Sequence, residues 1–134
     1  MMRALAMALF LVLPTVAGAQ HFTDPEMVRK ILGMTRANWV AVREFDGRDL
    51  VYFTHLMAYR CGLTELRYGI NSDAADTVFE MEPCYTDEAT PNAIKGLPYI
   101  SLPLGSVERV VVEITYADGL AERAVFGRAG PIEP

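Results

Sequence analysis

From Trp39 to Phe126 hydrophobic and polar positions mostly alternate with a period of two, whereas the stretch just before follows helical spacing. Asp24, Pro25 and Glu26 form a helix start: an N-cap carboxylate, a proline whose fixed φ suits the first turn, and an acid at the positive end of the dipole. Met27, Val28, Ile31 and Leu32 then fall on one stripe, and Gly33 is placed to end the element. The spacing predicts a helix over about 25–32, two turns long, which must dock on something to be stable.

Trp39 to Phe45 reads as a strand running into Asp46-Gly47, a hairpin signal. A two-residue turn would set Glu44 opposite Asp49. A four-residue loop over 46–49 is therefore expected, pairing Phe45 with Leu50 and Val42 with Phe53. The returning run, Leu50 to Tyr59, is apolar on both faces, the pattern of a central strand. Arg60-Cys61-Gly62 marks a bend, Thr64 to Ile70 alternates again, and Asn71 to Asp76 is a polar turn. Thr77 to Glu82 reads as a short strand stopped by Pro83, Tyr85 to Gly96 as a loop, and Pro98 to Pro103 as a proline-flanked edge segment. Val107 to Tyr116 and Leu120 to Phe126 flank Asp118-Gly119. With those two residues as the turn, Val112 faces Val125 and Tyr116 faces Ala121. The whole predicts a mainly β fold, a β-sandwich or curled antiparallel sheet of about six strands over about 39–127, with one short N-terminal helix.

The first nineteen residues have a different character. Arg3 is followed by an uninterrupted apolar run, Ala4 to Leu13, then by Pro14 and by Ala17-Gly18-Ala19, an A-x-A cleavage site. Ten apolar residues reach about 15 Å, half of a bilayer's hydrocarbon core, so a cleavable export signal over 1–19 is expected, not a membrane anchor. Residues 20–134 then form a single β-rich domain that is periplasmic or secreted, with no membrane insertion once the signal is removed. That domain keeps 11 of the 12 basic residues and all 17 acidic ones, a net charge of −6. This excess of acid argues against a nucleic-acid partner. The 134 residues suit one domain, and with 51% of them hydrophobic a disordered chain is excluded.

An exported chain meets an oxidising compartment, so Cys61 and Cys84, the two cysteines, are expected to form a disulfide. Closing that loop of 24 residues would contribute about 3.5 kcal/mol in the chain-entropy picture. Their spacing is not the C-x-x-C of a redox pair. Trp39 precedes both cysteines, which departs from the immunoglobulin pattern of a tryptophan between them.

No Gly-x-Ser-x-Gly nucleophile motif occurs. His55 alternates with Phe53 and Met57 and is expected to be a shielded, structural histidine, neutral at pH 7. Asn71, Asp73, Asp76 and Thr77 bring several oxygens into one turn without the EF-hand spacing, and a solvated turn is expected. No metal site and no cofactor are expected. His21 is the one residue whose position, second in the cleaved chain, offers a copper(II) chelate through amine, amide and ring. Tyr85, Asn92 and Tyr99 sit in or beside proline-flanked loops and form the candidate contact surface. The reading is a non-catalytic periplasmic binding or envelope-accessory module whose partner is another periplasmic or envelope protein. The alternative is a small periplasmic hydrolase or metal-dependent enzyme using His55 with a nearby carboxylate.

Overall fold

The computed structural model describes residues 9–12 and 22–132. Of the expected leader only 9–12 are described, and His21 lies outside the described residues.

Helix α1 spans Pro25–Met34 and begins as the sequence predicts, with Asp24 Oδ2 accepting the Met27 amide at 3.0 Å. It runs through Gly33 instead of ending there. Thr35 is what ends it, returning both its backbone N–H and its hydroxyl to the Ile31 carbonyl at 3.0 and 2.7 Å. Glycine is a weak stop unless the chain needs its left-handed conformation, and Gly33 is not in that conformation. Val28 and Leu32 are fully buried. The helix rests on the 3-10 turn Arg60–Gly62, where a Cβ on Gly62 would stand 2.5 Å from Val28 Cγ2. That close approach fixes where the helix docks.

The strands make two antiparallel sheets. In the smaller, β1 (Ala41–Phe45), β2 (Arg48–Tyr52) and β5 (Tyr99–Pro103) lie in the order β1-β2-β5. In the larger, β3 (Leu63–Ile70), β4 (Thr77–Val78), β6 (Arg109–Tyr116), β7 (Ala121–Gly127) and β8 (Gly130–Pro131) lie in the order β4-β3-β6-β7-β8. The mainly β fold is as expected, with eight strands where about six were read; β8, a two-residue pairing, was not among those read. Val51 and the half-buried Ile100 and Leu102 of one sheet meet Leu66, Val112, Ile114 and Phe126 of the other in a single core, completed by Trp39 and helix α1. Trp39 precedes β1, and its indole N–H donates to the Leu32 carbonyl at 2.9 Å.

Four local expectations are corrected. The β1–β2 hairpin closes with the two-residue turn Asp46-Gly47, so Glu44 does stand opposite Asp49 and Val42 opposite Val51. The like charges are reconciled by Arg128 from the turn after β7, which donates to Asp49 Oδ2 at 2.6 Å and Glu44 Oε1 at 2.9 Å. Asp49 is itself fully buried and also accepts the Gly105 and Val107 amides, each at 3.0 Å. The Arg128 contact foremost, then these backbone donors, hold its carboxyl well below the usual range.

The run Leu50 to Tyr59 is not one strand. β2 ends at Tyr52, Phe53 still donates to the Pro98 carbonyl at 2.7 Å, and Thr54–Met57 turns into a short helix, α2. Phe53, Leu56 and Met57 are buried at i, i+3 and i+4. A short doubly apolar run satisfies a buried helical turn as well as a buried strand. The expectation of a central position holds for β2 alone.

The β6–β7 hairpin turns through three residues, Ala117–Gly119, with Tyr116 N–H donating to the Leu120 carbonyl and Gly119 at φ +93°. Val112 therefore faces Ala124, not Val125, and Thr115, not Tyr116, faces Ala121. A glycine with positive φ closing a three-residue loop adds one residue to the turn, and that shift exchanges the two faces of β7. Phe126 joins the core while Val125 pairs with Val111 on the opposite face. The expected strand over 77–82 also shrinks to Thr77–Val78.

Candidate functional site

Pairing in the smaller sheet decides which side chains face away from the core. Ala41, Tyr52 and Tyr99 form one row, Arg43, Leu50 and Ser101 the next, and Phe45, Arg48 and Pro103 the third. These nine positions hold two arginines and no acid. Tyr52 and Tyr99 lie with ring centroids 5.1 Å apart, and the Arg43 guanidinium sits 4.6 Å from the Phe45 ring centroid. Arg48 Nε donates to Ser101 Oγ at 3.0 Å. Phe45 keeps 53% of its surface in water, and Leu50 is buried beneath its neighbours. An outer sheet face that gathers aromatic rings and guanidinium groups carries the residue types most enriched at protein contacts.

At one end this face opens into a concavity of about 480 Å³ lined by Asn38, Ala41, Arg43, Tyr52, Thr54, His55 and Ala58. His55 is carried by α2, not by a strand. Its Nε2 lies 2.8 Å from Thr35 Oγ1. With the Thr35 hydroxyl within 2.7 Å of the Ile31 carbonyl, its oxygen is placed to accept from Nε2. The Tyr59 ring packs edge-on at 5.3 Å. Burial lowers the imidazole's pKa below its ordinary 6.5. The hydrogen-bond partner of His55 is thus the Thr35 hydroxyl.

Two of the sequence-selected contact residues belong to a different place. Arg60, with 2% of its surface exposed, extends from the 3-10 turn into the loop that follows β4. Its guanidinium donates to the carbonyls of Met57, Glu82, Pro83, Pro91, Asn92 and Ala93, at 2.8 to 3.3 Å. Tyr85 packs against it at 5.2 Å and against the Lys95 ammonium at 4.1 Å, and its hydroxyl donates to Glu82 Oε1 at 2.8 Å. Burial alone would raise the Glu82 carboxyl's pKa, but the Lys95 and Gly96 amides and the Tyr85 hydroxyl bring it below its ordinary value. Asn92 accepts the Cys61 amide at 2.9 Å and donates to the Phe22 carbonyl at 3.3 Å. The Cys61–Cys84 disulfide closes the same knot. Tyr85 and Asn92 hold this loop together, and only Tyr99 of the three lies on the outer sheet face.

The oxygen-rich turn after β3 is occupied by its own chain. Asn71, at φ +54°, accepts the Glu108 and Arg109 amides at 2.8 and 3.0 Å, and Asp73 meets Arg109 at 2.8 Å. Among the described residues no group of three or more histidine, cysteine or acidic side chains is placed to hold a metal, and no helix is long and apolar enough to cross a membrane.

Arg43, Phe45, Arg48 and Tyr52 were not singled out by sequence. Their signal is the alternation of Ala41, Arg43 and Phe45. It becomes legible as a surface only once the hairpin register puts Arg48 in the strand. The chain matches no protein-family model, no curated protein and no solved structure.

Proposed function

We propose that this chain is an exported, non-catalytic binding module of the periplasm or envelope, and that its protein partner docks on the outer face of the β1-β2-β5 sheet. One observation carries the reading: in a chain of net charge −5, that face gathers Arg43, Arg48, the exposed Phe45 and the Tyr52–Tyr99 pair without an acid. An aromatic and cationic face on an acidic protein selects partners by charge as well as by area. The disulfide is consistent with an oxidising, extracytoplasmic compartment. The arrangement of Arg3, the apolar run and Ala17-Gly18-Ala19 supports export. The hydrolase alternative has less support, because the His55 hydrogen bond goes to Thr35.

A photoreactive amino acid at Phe45, in the protein expressed with its leader, should capture a protein partner in the periplasm. The same group at Ala121, on β7 of the other sheet, should capture none. The double variant Arg43→Glu, Arg48→Glu should remove the adduct while leaving the melting transition in place. Equal capture from both positions would contradict the assignment of the face.

A further inference from the structure

The smaller sheet has two edges that differ. β5 is bracketed by Pro98 and Pro103, which supply no N–H. β1 is five residues long, holds no proline, and follows a regular ladder with β2 from Ala41↔Tyr52 to Phe45↔Arg48. A two-residue hairpin makes Phe45 and Arg48 a hydrogen-bonded pair. Alternation then turns the amides and carbonyls of Val42 and Glu44 away from β2. In the larger sheet the edges β4 and β8 are two residues each, and β8 ends in Pro131. β1 is thus a five-residue edge with a regular ladder, free of proline and of bulges.

Beside this edge lies a concavity of about 200 Å³, with Val40 and Val42 on one side and Arg128 and Gly130 on the other. On the sheet's outer side the edge presents Arg43. A second copy of this chain is a poor occupant, since full antiparallel pairing of β1 with itself would set Arg43 opposite Arg43. An extended segment whose acidic residues fall on one face and whose small apolar residues fall on the other matches both sides.

We propose that β1 accepts such a segment of the partner protein as a fourth strand. Its main chain bonds to Val42 and Glu44, a carboxylate meets Arg43, and a small apolar side chain enters the space beside Val42. This is strand addition, in which main-chain bonds give affinity and alternate side chains give selectivity. It rests on the functional reading above and names the chemistry of the partner.

The test uses the mature, disulfide-bonded protein labelled with ¹⁵N and a synthetic peptide alternating glutamate and valine. Titration should shift and protect the Val42 and Glu44 amides. Replacing the glutamates by lysines should weaken binding about tenfold or more, and Arg43→Glu should reverse that preference. N-methylation of every second peptide amide alters no residue of the protein and should abolish binding from one of the two phases. Three results overturn the proposal: no binding of the acidic peptide, equal binding of the acidic and N-methylated peptides, or protection of the same amides by raised protein concentration without peptide. The first two leave the outer-face reading standing if the Phe45 adduct forms. Loss of that adduct together with peptide binding would refute the reading of the face but keep the edge.

Discussion

Replacing Arg60 tests how the long loop between β4 and β5 is held. The segment from Glu82 to Ala93 forms no helix or strand, and six of its own and neighbouring carbonyls converge on one guanidinium. Arg60→Met keeps the aliphatic stem and removes every donor. Hydrogen bonds from a charged donor contribute about 1.5 to 3 kcal/mol each, but six of them do not add. Once the donor is gone the loop opens and water reaches the carbonyls, which caps the loss at the free energy of ordering the loop. We expect about 3 to 5 kcal/mol, the range for breaking a buried charged network. At roughly 4 °C per kcal/mol for a domain this size, the melting temperature should fall by about 12 to 20 °C. Arg60→Lys keeps the charge but offers three donors from one point, and should lose about half as much. Urea unfolding at fixed pH reads the loss, and hydrogen exchange should show the change concentrated in 82–96. The disulfide should survive in both variants under non-reducing conditions. A loss below 1 kcal/mol for Arg60→Met, or a lysine variant equal to wild type, would refute the assignment of the guanidinium as the organiser of the loop.

Two further outcomes are expected. Because burial lowers the His55 pKa in the fold, the unfolded chain takes up a proton that the folded one refuses; its contribution is full above the ordinary value near 6.5 and falls as pH drops from there through the lowered folded value. Denaturant melts at pH 5 and pH 7.5 should show wild type losing more stability on acidification than His55→Gln, and an equal loss in both would contradict the shielding. Gly119→Val places a β-branched residue at φ +93° where no neighbouring atom lies within 4 Å of the new Cβ, so strain alone should cost about 1 to 2 kcal/mol by thermal or urea melts, and an unchanged stability would show that the turn tolerates another geometry.

Local chemistry was legible in the sequence wherever a short motif decides the backbone. Asp24-Pro25 and its carboxylate cap, the proline-flanked edge at β5 and the positive φ of Gly119 all follow from residues within a few positions of one another, and the Cys61–Cys84 bond from the presence of two cysteines in a chain expected to be exported. What escaped depends on partners distant in sequence. Nothing near Glu44 and Asp49 announces Arg128, nearly eighty residues on, so their juxtaposition reads as repulsion. Likewise the six carbonyls of the loop give no hint in sequence that Arg60 serves them, and Tyr85 and Asn92 look free for a partner when they are already engaged. Val125 was read opposite Val112 because Asp118-Gly119 suggests a two-residue turn, and the one extra turn residue exchanges the two faces along the whole of β7.

The Glu44–Asp49 pairing also explains why the candidate face has the composition it does. With the four-residue loop that repulsion alone would favour, Arg48 and Asp49 would both leave the ladder. Asp49 would then lose its place beneath the Gly105 and Val107 amides, and Arg48 would no longer stand in the row of Phe45 and Pro103 within reach of Ser101. Arg128 makes the shorter turn possible by bridging the two acids, and the shorter turn sets both faces at once. On the inner face it locks β2 to the turn that precedes β6 and to the turn that follows β7. On the outer face it adds the second arginine and brings the β1 ladder up to the hairpin, leaving Val42 and Glu44 turned outward along a regular edge. A substitution at Arg128 should therefore disturb docking on the outer face, read as loss of the Phe45 adduct, through the register of a hairpin whose charged residues it reconciles, and it would alter the concavity beside β1 as well.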